Sequence, residues 1–521
     1  MNKLLRCGGL CLSVFFSLLS GLNAQAPGSL DNTFGTGGIV QTPFLTFPTD
    51  CRAMVVQTDG KIVLGGVYTA GGVANMAFAR YTTLGALDNT FGTAGKSSIA
   101  FNNANVKLNV LQRASGNKII AAGISNNKPA ILRLTSAGAA DNTFGTAGVV
   151  EFDGGLTSIV DLVVLPTGKL LGCGISDQGS GKQFAVFRRN ADGTPDNTFG
   201  TNGFAYATVG LQPTLTKMAV QGDGKILLTG TIYFDATKYD LILTRMSANG
   251  VLDNTFDTDG IVTTVLSTNA AYEQGNALAI QQDGKIVVAG RIANAGPTVF
   301  AIVRYNINGS IDNTFGTSGT TTLNFNNSVD EPKAISIQSD GKIVVAGSSV
   351  SGSNRYFAMA RLNKNGSPDT GFDSDGKVTT VIGTKAWGEV VVAQSSLGKI
   401  LVAGYADVSN LRQFALARYN AGTVVGTVEA ETGIPALRLS PNPARAGGTL
   451  ALQLTPDAPG PLRLQLLGAD GRLLHTFAEQ TMIAGEQTLQ IELPAGLPAG
   501  EHWLRLETRQ GAGAMPLVLV P

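Results

Sequence analysis

Histidine is almost missing from this chain. Of 521 residues only two are histidine, His475 and His502, and both lie near the C-terminal end. Residues 27–422 therefore hold no imidazole for a catalytic triad, a general base or a zinc site. Charge is scarce as well. Asp, Glu, Lys and Arg make up 14% of the chain, the net charge is +1, and no basic run occurs. A nucleic acid would need a positive footprint, so that class of partner is excluded. The same balance gives an acidic membrane surface nothing to attract. There are four cysteines, and Cys7 and Cys11 fall in a segment marked for removal. Cys51 and Cys173 occupy unlike positions, so no disulfide between them is expected and a disulfide framework is excluded. No glycine-rich phosphate loop stands between a strand and a helix.

One leading apolar run, from Leu10 to Leu22, follows Lys3 and Arg6 and precedes the small residues Ala24 and Ala26. These are the parts of a secretory signal peptide. The run is too short to span a bilayer comfortably, so no transmembrane segment is expected after cleavage. Cleavage after Ala24 leaves Gln25 at the new end. Cleavage after Ala26 is the alternative, and it would set Pro27 beside the scissile bond. Cys11 follows Leu10, not the small residue that a lipoprotein cleavage site requires.

What the chain has in abundance is repetition. Asp-Asn-Thr-Phe or a near variant starts at Asp31, Asp88, Asp141, Asp196, Asp253, Asp312 and Asp369, at intervals of 57, 53, 55, 57, 59 and 57 residues. Such a period marks a repeat architecture. Ahead of each motif lies an apolar run, a tight turn and a second apolar run, as in Ala277 to Gly290. The Asp-Gly turn between them reads as a hairpin with positive φ at both turn positions. A turn lysine recurs at Lys61, Lys118, Lys169, Lys225, Lys285, Lys342 and Lys399. A third run carries an arginine, at Arg80, Arg133, Arg188, Arg245, Arg304, Arg361 and Arg418, and from the first six of these the next motif aspartate is always 8 residues on. The fixed spacing predicts a pair between each arginine and its aspartate. A fourth strand follows, such as Gly319 to Phe325.

Four strands per unit and 66 glycines for tight turns give an all-β chain, read as a seven-bladed β-propeller over residues 27–422. The two leading apolar runs of each unit are expected to be the inner strands, packed on both faces. The chain opens with a lone fourth strand, Gly37 to Phe44, and its last unit ends on a third strand, Phe414 to Tyr419. The two leftovers complete one blade, so the ring is closed by the N-terminal strand and Arg418 is expected beside Asp31. Residues 423–434 read as a linker. Residues 435–521 contain alternating runs at Leu450 to Leu454, Leu462 to Leu467, Thr488 to Leu493 and His502 to Glu507, with a turn at Ala469-Asp470-Gly471, and suggest a small immunoglobulin-like β-sandwich.

The repeated unit resembles the delta-60 repeat, a family of secreted bacterial propeller repeats with no assigned activity. The matching residues are the Asp-Asn-Thr-Phe-Gly stretches and the Asp-Gly-Lys-Ile-Val-Val-Ala-Gly hairpins, with Ser115-Gly116-Asn117-Lys118 and Pro166-Thr167-Gly168-Lys169 departing from the turn. The tail, residues 435–521, resembles the C-terminal sorting domain of the type IX secretion system. Leu439-Ser440-Pro441-Asn442-Pro443-Ala444, Leu467 to Arg472 and Leu497 to Leu504 carry that resemblance, while Pro516 to Val520 lacks a basic residue near the end. It implies the type IX machinery as a partner, and release or attachment at the outer cell surface.

For chemistry, the carboxylates outside the motif are few. Glu273, Glu331 and Glu389 fall just ahead of the first strand of a blade, with Asp50 at a similar offset, and are the candidates for the channel mouth. Asp253 to Gly260 and Asp369 to Gly376 lack the ligand spacing and distal glutamate of a calcium loop, so no metal and no cofactor are expected. The motif phenylalanine is expected to pack between blades. The expected role is a non-catalytic binding or scaffold propeller for a glycan, peptide or protein, with binding in loops such as Tyr68 to Met76, Asp177 to Lys182 and Ser349 to Arg355. The alternative is a polysaccharide-active enzyme using the channel-mouth carboxylates. N-terminal sequencing of the exported chain checks the export reading: a start at Gln25 is expected, and a retained Met1 contradicts it.

Overall fold

The computed structural model describes residues 25–422 and 438–520, apart from 45, 102–105, 178–180, 236–237, 267–271, 294–296, 326–328, 441, 443, 455–459, 469–472, 484–486, 498 and 509–510. The signal segment 1–24, the linker 423–434 and the turn at 469–471 lie outside the described residues.

The chain is all-β. Its repeats form seven four-stranded antiparallel units, as a β-propeller of about seven blades requires. Sheet 5 is typical, with strands Tyr272–Ile280, Ile286–Ala293, Thr298–Tyr305 and Thr320–Leu323. Sheet 1 begins at Thr49, sheet 2 at Val106, sheet 3 at Asp161, sheet 4 at Leu211 and sheet 6 at Asp330. Sheet 7 contains Lys385–Gln394, Lys399–Val408 and Leu411–Asn420, and its fourth strand is Ile39–Thr42 from the other end of the chain. Ile39 pairs with Ala417 and Thr42 with Phe414. The core of sheet 7 also packs on sheet 1, where Leu401, Phe414 and Leu416 share a cluster with Cys51, Met54 and Leu64.

Burial redraws the expected inner strands. The second and third strands, such as Ile286–Ala293 and Thr298–Tyr305, are the ones covered on both faces. The first strand alternates, because one of its faces looks into the central channel. The hairpin turn also differs from expectation. At Gln281 to Lys285 the Gly284 N–H donates to the Gln281 carbonyl at 2.9 Å, and only Gly284 has positive φ, at 78°. Asp283 does not take positive φ, and its carboxylate accepts the Lys285 N–H at 3.3 Å. This is a three-residue turn closed by a left-handed glycine, not a two-residue turn with both φ positive. The two-residue form occurs elsewhere, at the tip of the second hairpin: Gly71 and Gly72 have φ of 57° and 81°. Tyr68 to Met76 is therefore a paired hairpin end, not a loop. Ser349 to Arg355 is likewise a paired hairpin end, with Ser351 facing Asn354, but of its two turn residues only Gly352 has positive φ.

Every sheet is fastened by its motif aspartate. Asp312 is typical. One of its oxygens accepts the Thr314 N–H at 3.1 Å and hydroxyl at 2.7 Å. The other takes Arg304 at 2.7 Å and Lys285 at 2.7 Å. The guanidinium of Arg304 lies over the Phe315 ring, 4.6 Å from its centre, and donates across to the Lys364 carbonyl of the next sheet. All seven arginines reach the following sheet in this way. Arg418 reaches Thr83 of sheet 1, and its ion pair with Asp31 measures 2.8 Å. The motif phenylalanines are fully buried. Gly366 of the next turn packs on Phe315 so closely that a Cβ would sit 2.8 Å from the ring, and its φ of 87° also calls for glycine.

The tail has two sheets, one of Arg438–Ser440, Thr449–Leu454 and Gln487–Glu492, the other centred on Gly460–Gly468, Gly500–Thr508 and Gly511–Val520. They enclose one core rich in leucine, including Leu450, Leu464, Leu504 and Leu517.

Two outcomes follow from the aspartates. Burial works against the charge of Asp31, but its hydrogen bonds with Thr33 and Lys399 and the charge of Arg418 outweigh this and hold its carboxyl down at about 2. The other motif carboxyls are lowered by the same kinds of partner. Folding thus lowers these pKa values below the ordinary 3.8, and their stabilisation is complete above that value and lost as pH falls through the folded ones. Chemical denaturation should show stability dropping steeply from pH about 5 downwards. Asp312→Ala leaves Arg304 unpaired in the interior and should cost about 3–5 kcal/mol. A loss under about 1 kcal/mol, typical of an exposed pair, would contradict this.

Candidate functional site

The first strands surround the axis. In six of the seven sheets the first strand slips one residue against the second, and the unpaired residues are Arg52, Asn109, Thr216, Asn276, Lys333 and Glu389. A bulge of this kind re-aims a side chain. With Val160 of sheet 3, these residues line a central cavity of about 470 Å³. The neutral members tie each sheet to the next. Asn109 donates to the Ile159 carbonyl at 2.6 Å, Thr216 to that of Gly275 at 2.6 Å and Asn276 to that of Pro332 at 2.7 Å.

The four candidate carboxylates, expected just ahead of the first strands, lie within them and occupy three different positions. Asp50 and Glu331 stand at the mouth, each two residues before its bulge. Asp50 accepts Arg52 at 3.0 Å and Arg412 at 3.2 Å. Glu331 accepts Arg291 at 3.3 Å and Arg355 at 2.9 Å. Glu389 is itself a bulge residue inside the channel and accepts the second arm of Arg52 at 3.1 Å. Burial pushes its carboxyl up, Arg52 and Lys333 pull it back, and the nearby Asp50 and Glu331 charges add to the rise. Glu273 is buried, 1% exposed, and accepts the Leu266 N–H at 2.7 Å, so it supports the interior of the sheet and not the mouth.

The same mouth holds residues that the sequence reading did not single out. Trp387 occupies the register of Asp50 and Glu331 and stacks on Tyr405, ring centres 4.9 Å apart and planes 19° apart. Tyr405 is buried and Trp387 is half-buried, so the indole is the outward layer. Arg412 lies 4.9 Å from the Trp387 ring centre and 5.0 Å from that of Tyr405. Arg355 is 5.6 Å from Trp387, and Arg52 is 5.2 Å from Tyr405. Further round, Arg291 covers Tyr272 at 4.6 Å, and Tyr272 leads to Tyr239 at 4.8 Å and Tyr233 at 4.2 Å beyond it. In sheets 2, 4 and 5 the corresponding register holds Lys107, Thr214 and Gln274, with no carboxylate or aromatic, and sheet 5 joins the cluster through Arg291 and Tyr272 instead. One sector of the mouth, over sheets 5, 6, 7 and 1 with the two tyrosines at the adjoining edge of sheet 4, is thus unlike the rest.

Seven segments of the chain match a family model described as "Domain of unknown function (DUF5122) beta-propeller": residues 57–91, 117–144, 165–199, 221–256, 281–315, 338–372 and 398–422. Among solved structures, the chain is similar to a catalytically inactive virginiamycin B lyase from Staphylococcus aureus with quinupristin, at 13% identity over 73% of this chain and 98% of that one, with a TM-score of 0.41. It is also similar to Drosophila Semaphorin 2a, at 7% identity over 95% of this chain and 98% of that one, with a TM-score of 0.42. A third is Sqt1 from Chaetomium thermophilum, at 10% identity over 72% and 97%, with a TM-score of 0.40. No curated protein matches the chain.

The Glu389 carboxyl ties the stability of the channel to pH. Its folded pKa lies above the ordinary 4.5, so its contribution to stability is present below that value and is lost as pH rises through the folded one. Glu389→Gln is expected to be at least as stable as the parent chain at pH 7, with the advantage gone at pH 4. A variant weakened only at pH 7 would contradict this.

Proposed function

We propose that this chain of DUF5122-type propeller repeats is a secreted or surface-attached, non-catalytic binding and scaffold protein. In this reading the seven sheets close into a ring through the N-terminal strand, after a signal peptide ending at Ala24 is removed. Residues 435–521 form an immunoglobulin-like sandwich that the type IX secretion machinery recognises. What supports the sorting role is the set of sequence stretches named above; what supports closure is the pairing of Ile39–Thr42 with sheet 7.

The binding role rests on one observation, the unlike sector of the channel mouth. Positions set by the repeat hold the frame, whereas residues at one register level differ between sheets and cluster on one side. Asp50 and Glu331 are each clamped between two arginines, which fixes their geometry and occupies the lone pairs that a nucleophile or base would use. A rigid, partly apolar surface with fixed polar groups is the form of a recognition site. One feature favours the second reading, a polysaccharide-active enzyme. Asp50 and Glu389 hang from the two arms of Arg52, and the Glu389 carboxyl is raised, as in an acid–base pair.

A glycan and peptide array on the secreted chain, with hydrolysis products assayed for every bound glycan, separates the two. Binding without turnover is expected. Turnover abolished by Glu389→Gln would overturn the binding reading in favour of the enzyme, and silence on the whole array would contradict both.

A further inference from the structure

We infer that the ligand of the channel-mouth sector is a neutral polysaccharide chain, lying across sheets 5, 6, 7 and 1 with a sugar ring stacked on Trp387. The inference rests on the binding reading above and narrows it to one chemical class.

Three features of the sector select that class. The first is charge. Arg52, Arg291, Arg355 and Arg412 face Asp50, Glu331, Glu389 and Asp407, and these groups are joined into chains of ion pairs. Two exposed lysines, Lys333 in the channel and Lys385 in register with Arg355 and Asp407, leave the sector only a small positive excess. A uronic acid polymer or a phosphate-rich chain would need its carboxylates or phosphates met by free guanidinium groups, and here each guanidinium already holds a carboxylate. A cationic peptide meets the mirror-image difficulty.

The second feature is the pairing of donors with acceptors. A sugar hydroxyl both donates and accepts, and adjacent hydroxyls lie at a fixed spacing. Neighbouring guanidinium and carboxylate groups held in one network offer donors and acceptors at fixed separation and lose little freedom on binding. Asp50, Arg412 and Asp407 form such a run, and Arg291, Glu331 and Arg355 form another.

The third is the aromatic platform between the two runs. The C–H face of a pyranose ring is apolar and flat enough to cover an indole, and Trp387 is the outward member of a stack backed by buried Tyr405. Tyr272, Tyr239 and Tyr233 extend the aromatic surface past Arg291. A polymer crossing from the tyrosines to Trp387 would use both, so affinity should rise with chain length. A single sugar would not.

The test uses the chain's own fluorescence. There are two tryptophans, Trp387 and Trp503, and Trp503 stands 40% exposed in the tail. In the secreted full chain carrying Trp503→Phe, all tryptophan emission comes from Trp387. Titration with neutral hexasaccharides of several backbone types is expected to give a saturable change in that emission for at least one of them. The affinity should be insensitive to salt between low and physiological ionic strength, because no net charge is neutralised. The matching trisaccharide should bind more weakly. Trp387→Ala should weaken array-detected binding at least about tenfold. Arg355→Lys keeps the charge but breaks the planar fork, and should weaken it several-fold with the same melting temperature as the parent.

Salt-dependent binding of polygalacturonate, or binding of peptides alone, with a change in Trp387 emission would overturn the neutral-glycan class and leave the binding module standing. Neutral-glycan binding that Trp387→Ala and Arg355→Lys both leave intact would overturn the placement. No binding of any probe would overturn the class and the parent reading together.

Discussion

A buried carboxylate, repeated seven times, is the interaction on which the rest of this structure depends. Each motif aspartate divides its two oxygens between two tasks. One oxygen shapes the local turn through the residue two positions on, a threonine in six cases and Gly371 after Asp369, and the other gathers an arginine and a lysine from the second hairpin. The arginine in turn reaches the following sheet and covers the motif phenylalanine. A charge so deeply placed is tolerated only because its partners are complete. The same carboxylate therefore sets the turn, the hairpin and the junction to the neighbouring sheet.

That division of labour leaves the first strands free to vary. Their side chains at the channel take little part in the aspartate network, and in six of the seven sheets a bulge re-aims one residue toward the axis. Where those residues are neutral they bridge to the next sheet. Where they are charged, in sheets 6, 7 and 1, they belong to the sector that also carries the carboxylates and rings of the mouth. A frame with sevenfold repetition thus presents a mouth without it.

Much of this frame was legible in the sequence. The constant spacing of 8 residues from Arg80 to Asp88 and its five counterparts pointed to the ion pairs, and the leftover strand at each end pointed to Arg418 beside Asp31. The turn lysines recurred visibly, but their role did not follow, since a lysine in a turn reads as solvated until the aspartate is seen within reach at 2.7 Å. Turn geometry misled because Asp-Gly suits both a two-residue and a three-residue hairpin, and only pairing distinguishes them. The site was less accessible. Glu273 and Glu331 differ by one position relative to their bulges, and a one-residue step in a strand reverses the face. A register signal was nonetheless present: counting 9 residues back from Lys61, Lys118, Lys169, Lys225, Lys285 and Lys342 gives Arg52, Asn109, Val160, Thr216, Asn276 and Lys333. Sheet 7 has one more residue there, which is why Glu389 was not aligned with them. Trp387 and Tyr405 come together only through pairing of the first two strands.

Native-state hydrogen exchange of the backbone amides tests the account most directly. The Asp31 N–H donates to the Arg418 carbonyl at 2.8 Å, and the Asp312 N–H donates to that of Arg304 at 2.9 Å, although the first pair is 387 residues apart along the chain and the second 8. If the aspartate network fuses the seven sheets into one cooperative unit, the amides of Asp31, Asp88, Asp141, Asp196, Asp253, Asp312 and Asp369 will exchange with one common opening free energy. Exchange at Asp31 through a separate opening, several-fold faster than at Asp312, would show that the junction is merely local and would contradict the account.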